Sequence, residues 1–247
     1  MNCFLQKIKS NTRLIKIPRG ITGHFLEEDV LFYFKKYPQV YFDVGSNYGQ
    51  SIRKFKQWNP NALIYGFEPC RNLFSKLSER YPSDSSVKMN PYALSDFTGV
   101  TTFNEYNKTG YNSLLEFKAK NSDLEKVSTY DVEVKTGDEL CQRWNISHID
   151  FLKIDTQGND LAVVKGFQSL VKTQRIGMIY LESMVHPDYE NQPVVSDVME
   201  EMRKMGYQLF GIYEQSFADD HLIWCNLCFV PNRSFHLNDS ASTPVNH

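Results

Sequence analysis

The 247-residue sequence predicts an α/β protein, a mostly parallel sheet covered by helices and closed by an antiparallel pair. Short apolar runs rich in Val, Ile, Tyr and Phe alternate with stretches of helical period, as strands do when crossover helices join them. The last two runs, Tyr207 to Tyr213 and Leu222 to Val230, have only a polar loop between them, too short for a crossover, so they pair antiparallel. With 41% hydrophobic and 23% charged residues, 13 Gly and 10 Pro, the chain can bury a core and is neither collagen-like nor disordered.

The first helix is expected over Leu26 to Tyr37, with Leu26, Val30, Tyr33, Phe34 and Tyr37 on one face and Pro38 as its stop. A strand follows at Gln39 to Val44. Residues Gly49 to Trp58 place Ile52, Phe55 and Trp58 three apart and form a helix that Pro60 ends. Strand two is Ala62 to Phe67, helix two Cys70 to Arg80 with Leu73, Phe74 and Leu77 inward, and strand three Val87 to Leu94. Residues 97 to 137 are less regular; they hold a hairpin and the alternating pair Val132 and Val134, as in an insertion or lid. Regularity returns with a fourth strand, Ile149 to Ile154, a helix from Asn159 to Val171, and a fifth strand, Ile176 to Leu181. Pro193 opens a helix that buries Val194, Val195, Val198, Met199, Met202 and Met205, with Gly206 as its stop.

Charge and cysteine usage narrow the function classes. Lys+Arg 27 against Asp+Glu 29 gives −2, which removes the global basic field of a dedicated nucleic-acid coat. Lys7, Lys9, Arg13, Lys16 and Arg19 precede the first acid, Glu27, and read as a basic helical arm over residues 1 to 25; a polar, flexible tail is expected over residues 233 to 247. Apolar runs such as Val30 to Phe34 are far below the roughly 18 residues that cross a bilayer. No apolar stretch with a cleavage site follows the basic residues, so no secretory signal is expected. Five scattered cysteines suit reduced thiols in a cytoplasmic protein. Cys225 and Cys228 lie three apart in a strand-like run and point to opposite faces, which suits neither zinc nor a disulfide.

The sharpest local signal is Asp43-Val44-Gly45-Ser46-Asn47-Tyr48-Gly49, where the first strand gives way to a helix. Glycine there permits a tight turn and close backbone approach, and the helix start offers free N–H groups to a ligand. The following helix of about 15 Å and strand of about 17 to 20 Å return the chain to the same sheet edge and present Glu68, an acid placed to accept ribose hydroxyls. A dinucleotide fold would read Gly-x-Gly-x-x-Gly, whereas Asn47 stands at the second glycine position. Asp43 suits the ammonium of an aminoacyl group, so S-adenosylmethionine fits better than NAD.

Asp43-Val44-Gly45-x-Asn47-x-Gly49, then Phe67-Glu68-Pro69, then Ala93-Leu94-Ser95-Asp96, then Asp150-Phe151-Leu152-Lys153-Ile154-Asp155-x-x-Gly158 together resemble the FkbM-type family of S-adenosylmethionine-dependent methyltransferases, over residues 39 to 230. The resemblance implies a class I methyltransferase, Rossmann-like fold of seven strands, helices on both faces and the last strand antiparallel, over residues 26 to 232. It also implies methyl transfer to a hydroxyl of a sugar, glycan or other small natural product. By the resemblance Asp43, Gly45, Ser46, Asn47 and Gly49 form the methyl-donor loop, Glu68 and Pro69 the ribose segment, Ala93 and Leu94 the adenine wall, and Asp155 the acid facing the methyl group. The family commonly has Glu at the positions of Gln157 and Asp160, and often Thr-Leu-Asp where this chain has Thr136-Gly137-Asp138. Asn90-Pro91-Tyr92 is similar to part of a signature of amino-methylating nucleic-acid enzymes, but there it ends the fourth strand, which here ends in Asp155.

Methyl transfer to an alcohol needs alignment and a base. Asp155 is the first candidate base, with Glu182 and His186, beyond the fifth strand, second. A divalent ion on Asp155, Asp160 and Glu182 would be another route, though no dense ligand spacing supports it. Residues 100 to 137 and the Ser183 to Asn191 loop are expected to shape the acceptor pocket. A non-catalytic binding module and an NAD-linked oxidoreductase are the alternative classes.

Overall fold

The computed structural model describes residues 4–7, 14–17, 23, 25–81, 86–118, 123–218 and 220–232. Strand β3 (Val40–Val44) is buried on both faces because Tyr41 and Phe42 point to opposite sides of the pleat. Around it a seven-stranded sheet forms in the order β11-β12-β10-β9-β3-β4-β5. Its members are β4 (Leu63–Phe67), β5 (Val87–Asn90), β9 (Ile149–Ile154), β10 (Ile176–Met184), β11 (Tyr207–Ala218) and β12 (His221–Pro231). All pairs are parallel except those of β12, which runs antiparallel to both β10 and β11. The expected class I methyltransferase topology is therefore present.

Helices cover both faces. On one side α1 (Leu26–Phe34) and α2 (Gln50–Trp58) pack Val30, Ile52, Phe55 and Trp58 onto Tyr41, Ile64 and Phe151. On the other lie α4 (Gly137–Arg143), α5 (Asp160–Lys165), α6 (Gln168–Lys172) and α7 (Val195–Lys204), with Leu140, Val163, Phe167 and Met202 against Phe42, Leu152 and Ile179. Helix α3 (Arg71–Arg80) packs along β5, and its Leu73 joins a smaller cluster with Phe103 and Val134. Cys225 belongs to one apolar layer and Cys228 to the other, as their spacing predicts.

Several expectations are corrected. The third strand ends at Asn90, because Pro91 has no N–H for the ladder; Ala93–Leu94 (β6) instead pairs with β8 (Lys126–Lys135). With β7 (Gly99–Tyr106) these make a separate three-stranded sheet, in which β7 and β8 form the expected hairpin and Phe103, Val132 and Val134 pack with Leu73 of α3. Helix α1 stops at Phe34, where Lys35 turns left-handed with φ 60. The helix expected over 159 to 171 is broken at Gly166 and Phe167: a Cβ at Gly166 would lie 2.1 Å from the Ser95 carbonyl oxygen, so the chain turns there to pass that backbone. Helix α4 was not foreseen, although Thr136 caps it by accepting the Glu139 N–H. The arm expected to be helical instead pairs β1 (Phe4–Lys7) with β2 (Leu14–Ile17) as an antiparallel hairpin. The tail expected over residues 233 to 247 lies outside the described residues. Among the described residues no helix is long and apolar enough to cross a membrane.

Candidate active site

The strand order reverses at β3, with β4 and β5 on one side and β9 and β10 on the other, which opens a crevice above the carboxyl ends of β3 and β9. The loop leaving β3 is held down on the neighbouring strand: the N–H groups of Gly45 and Ser46 both donate to the Phe67 carbonyl at 3.0 Å. Gly45 has φ 77, and a Cβ there would stand 1.8 Å from the Asp155 carbonyl oxygen, so only glycine lets the loops after β3 and β9 touch. Asn47 follows with φ 47, and Gly49, φ 74, starts α2.

Glu68, at the end of β4, closes this turn. Its carboxylate accepts the Asn47 N–H at 2.7 Å and the Cys70 N–H at 2.9 Å, and the side chain is 5% exposed. Burial raises its pKa to about 7, against the pull of those two N–H groups. A cleft opens beside it, lined by Gly45, Asn47, Pro69, Ala93, Leu94 and Asp155 among the residues expected from sequence. Leu73, Tyr92, Phe103 and Leu114 add an apolar wall, and Asn159, whose Nδ2 donates to the Leu94 carbonyl at 3.0 Å, ties β6 to the turn after β9. Asn159 was missed because an isolated polar residue at a helix start carries no signal without its partner.

Below the cleft lies a charged cluster. Lys153 on β9 sits 3.2 Å from an Asp43 oxygen and 3.6 Å from Asp155, and donates to the Gly45 carbonyl at 2.9 Å. Burial opposes its charge, but Asp43 and Asp155 outweigh that and hold the ammonium above its ordinary pKa. Asp155, 40% exposed, accepts from Gln157 Nε2 at 2.8 Å; the same nitrogen donates to Glu182 at 3.0 Å. Glu182 is pushed well above the ordinary glutamate value by burial and by the neighbouring Asp155 and Asp160 charges. Burial, then the Asp155 charge, also raises Asp160, to about 6, while its oxygens accept the N–H groups of Thr156 and Gly158, both at 3.1 Å.

Five expected site residues do not line the cleft. Asp43 is fully buried beneath the loop and paired with Lys153, so it does not face an incoming ammonium. Ser46 is buried, with its hydroxyl on the Asp43 carbonyl, and Gly49 shapes the start of α2. Glu182 lies behind Gln157, and His186 is exposed on the loop after β10. Asp160 is committed to backbone, and among the described residues no three His, Cys, Asp or Glu side chains converge to hold a metal ion. The segments expected to shape an acceptor pocket pack on each other. Phe117 bridges Tyr189, whose hydroxyl donates to the Tyr111 carbonyl at 2.9 Å, while Thr109, Gly110 and Asn112 wall the cleft.

Comparison with known proteins gives a consistent result. The family described as "Methyltransferase FkbM domain" matches residues 43–209. The 2-O-methyltransferase NoeI of Sinorhizobium fredii is 26% identical over 200 residues, 76% of this chain and 77% of its own. The hexuronic acid methyltransferase AglP of Haloferax volcanii is 24% identical over 149 residues, 60% of this chain and 58% of its own, so this chain spans under two thirds of that relative. The solved structure of methyltransferase FkbM from Methylobacillus flagellatus superposes with a TM-score of 0.53 at 15% identity, over 79% of this chain and 44% of that one, a likeness of fold.

Proposed function

Because the chain belongs to the FkbM methyltransferase family, whose methyl donor is S-adenosylmethionine, we propose that it methylates a hydroxyl of a sugar, glycan or other small natural product. The names of the relatives support this: one is named for O-methyl transfer, the other for a hexuronic acid. A net charge of −2 favours such an acceptor over nucleic acid. The observation that carries the reading is the Glu68 carboxylate, held by the Asn47 N–H at 2.7 Å in a cleft that also reaches Asp155.

The residues present fit the methyl donor. The Asn47 Oδ1 and Thr156 Oγ1 atoms are buried without hydrogen-bond partners, and both residues line the cleft. Glu68 would take the ribose hydroxyls, and Leu94 with Tyr92 would flank the adenine. When bound, S-adenosylmethionine supplies a methyl group on a sulfonium leaving group. Asp155 then has two tasks: to hold the acceptor oxygen in line, at about 3 to 3.5 Å from the methyl carbon, and to take its proton. Gln157 and Lys153 fix that carboxylate from two sides.

Calorimetric titration with S-adenosylmethionine, S-adenosylhomocysteine and NAD tests the reading. Micromolar binding of the first two, lost in Glu68→Ala, is expected; no binding to folded protein, or a preference for NAD, would sink it. Asp155→Ala should keep methyl-donor affinity and lose about 10² to 10⁴ in turnover, and equal turnover would remove Asp155 from the mechanism.

A further inference from the structure

Gln157 stands where the two segments expected to shape the acceptor pocket meet the charged cluster, and both polar atoms of its side chain are engaged. Its Nε2 donates to Asp155 Oδ1 at 2.8 Å and to Glu182 Oε2 at 3.0 Å. Its Oε1 lies 3.4 Å from the Tyr189 hydroxyl on the loop after β10, and its main-chain carbonyl accepts the Ser113 hydroxyl of the β7–β8 hairpin at 2.7 Å. Ser113, 1% exposed, in turn accepts the Leu115 N–H at 3.0 Å, so the hairpin is seated on this residue. The neighbours fix the orientation of the amide: ionised carboxylates only accept, which suits Nε2, and the tyrosine hydroxyl can donate, which suits Oε1. The backbone here has φ 55, a left-handed conformation that costs a residue other than glycine free energy and persists where surrounding contacts over-determine it.

Asp155 lines the cleft, yet its two oxygens are not equivalent. Oδ1 is taken by the Gln157 amide, whereas Oδ2 has the Lys153 ammonium at 3.6 Å, beyond hydrogen-bond length. We propose that Gln157 is a positioning residue of the methyl transfer: its amide clips Asp155 to Glu182, leaves Oδ2 for the acceptor hydroxyl, and ties that carboxylate to the hairpin and to the loop after β10. The proposal rests on the methyltransferase reading above. The acceptor gives its proton to Oδ2 as its oxygen forms the new O–C bond, and the electron pair of the broken S–C bond stays on sulfur. The junction needs a donor at one end of the side chain and an acceptor at the other. A glutamate of the same shape would set a third carboxylate against Asp155 and Glu182, with Asp160 nearby, while Lys153 is already engaged by Asp43 and the Gly45 carbonyl. Around Tyr189 stand Asp188, Tyr106 and Tyr111, which bring no positive charge.

The test measures methyl transfer from S-adenosylmethionine to glucuronic acid and to methyl glucoside in wild type, Gln157→Met and Gln157→Glu, beside calorimetry with S-adenosylhomocysteine and urea unfolding across pH. Gln157→Met keeps the length and loses both hydrogen-bonding ends; it should lower kcat about 10²-fold while sugar KM and S-adenosylhomocysteine affinity stay within about threefold. Gln157→Glu should fall below the wild-type urea midpoint by a gap that widens from about pH 4.5 to about pH 8. Like-charged neighbours raise the folded pKa of the new carboxyl, so its contribution to stability is lost as pH climbs through that value. Unchanged kcat in Gln157→Met, a loss carried by KM alone, or a urea gap in Gln157→Glu that does not vary with pH overturns the assignment, because Gln157 would then only pack or only touch the acceptor. Wild type that binds S-adenosylhomocysteine but methylates neither sugar counts against the sugar acceptor, and the urea gap then decides the assignment. Wild type that binds no S-adenosylhomocysteine counts against the methyltransferase reading.

Discussion

At Glu68 burial and hydrogen bonding pull in opposite directions, and pH separates their consequences. Burial raises its pKa from 4.5 to about 7. A raised acid contributes stability that is present below the unfolded value and lost as pH rises through the folded one, here on the order of 3 kcal/mol. The ligand-free protein should therefore lose urea resistance between pH 4.5 and 7, and Glu68→Gln should flatten that loss. Methyl-donor binding has the opposite sign, because ribose hydroxyls need an ionised acceptor. Calorimetry should show affinity falling below about pH 7, by up to tenfold per unit, in wild type and not in the Gln variant. Glu68 was legible in the sequence because one helix and one strand return the chain to a calculable place. Asp43 was misread, since the lysine that neutralises it comes from a distant strand.

Among the elements, strands β3, β4 and β9 were readable almost to the residue, because strands buried on both faces leave continuous apolar runs. Helix α4 was not, since its seven residues are too few to show a period. Its start depends on Thr136, whose side chain accepts the Glu139 N–H at 3.2 Å. Thr136→Ala should cost about 1 kcal/mol, read as a lower urea midpoint at unchanged slope. An unchanged midpoint would mean that packing of Leu140 and Cys141 holds the helix without its cap. The break between α5 and α6 was equally hidden, because Gly166 is needed only where Ser95, from another segment, passes close by.

At the scale of the whole molecule, the cleft joins parts far apart in sequence: the loop after β3, the end of β4, the β7–β8 hairpin and the turn after β9. A ligand there binds only the folded chain. At a hundred times its Kd, S-adenosylhomocysteine should add about 2.7 kcal/mol and raise the thermal midpoint by about 5 to 10 °C, whereas NAD should leave it unmoved. No shift with the first would mean that the folded chain does not bind it. The amino-acid order alone determined the alternation of strands and helices, the antiparallel closing pair, the glycine turn and the strand-end acids, because apolar period and backbone φ are local demands. Tertiary structure decided what each acid faces. Lys153 reaches the Gly45 carbonyl across 108 positions, and Gln157 spans the 25 positions that separate it from Glu182. Burial and charge pairing depend on neighbours that only the folded sheet brings together, so one strand-end carboxylate, Glu68, holds a backbone turn while another, Asp43, sits in a buried ion pair.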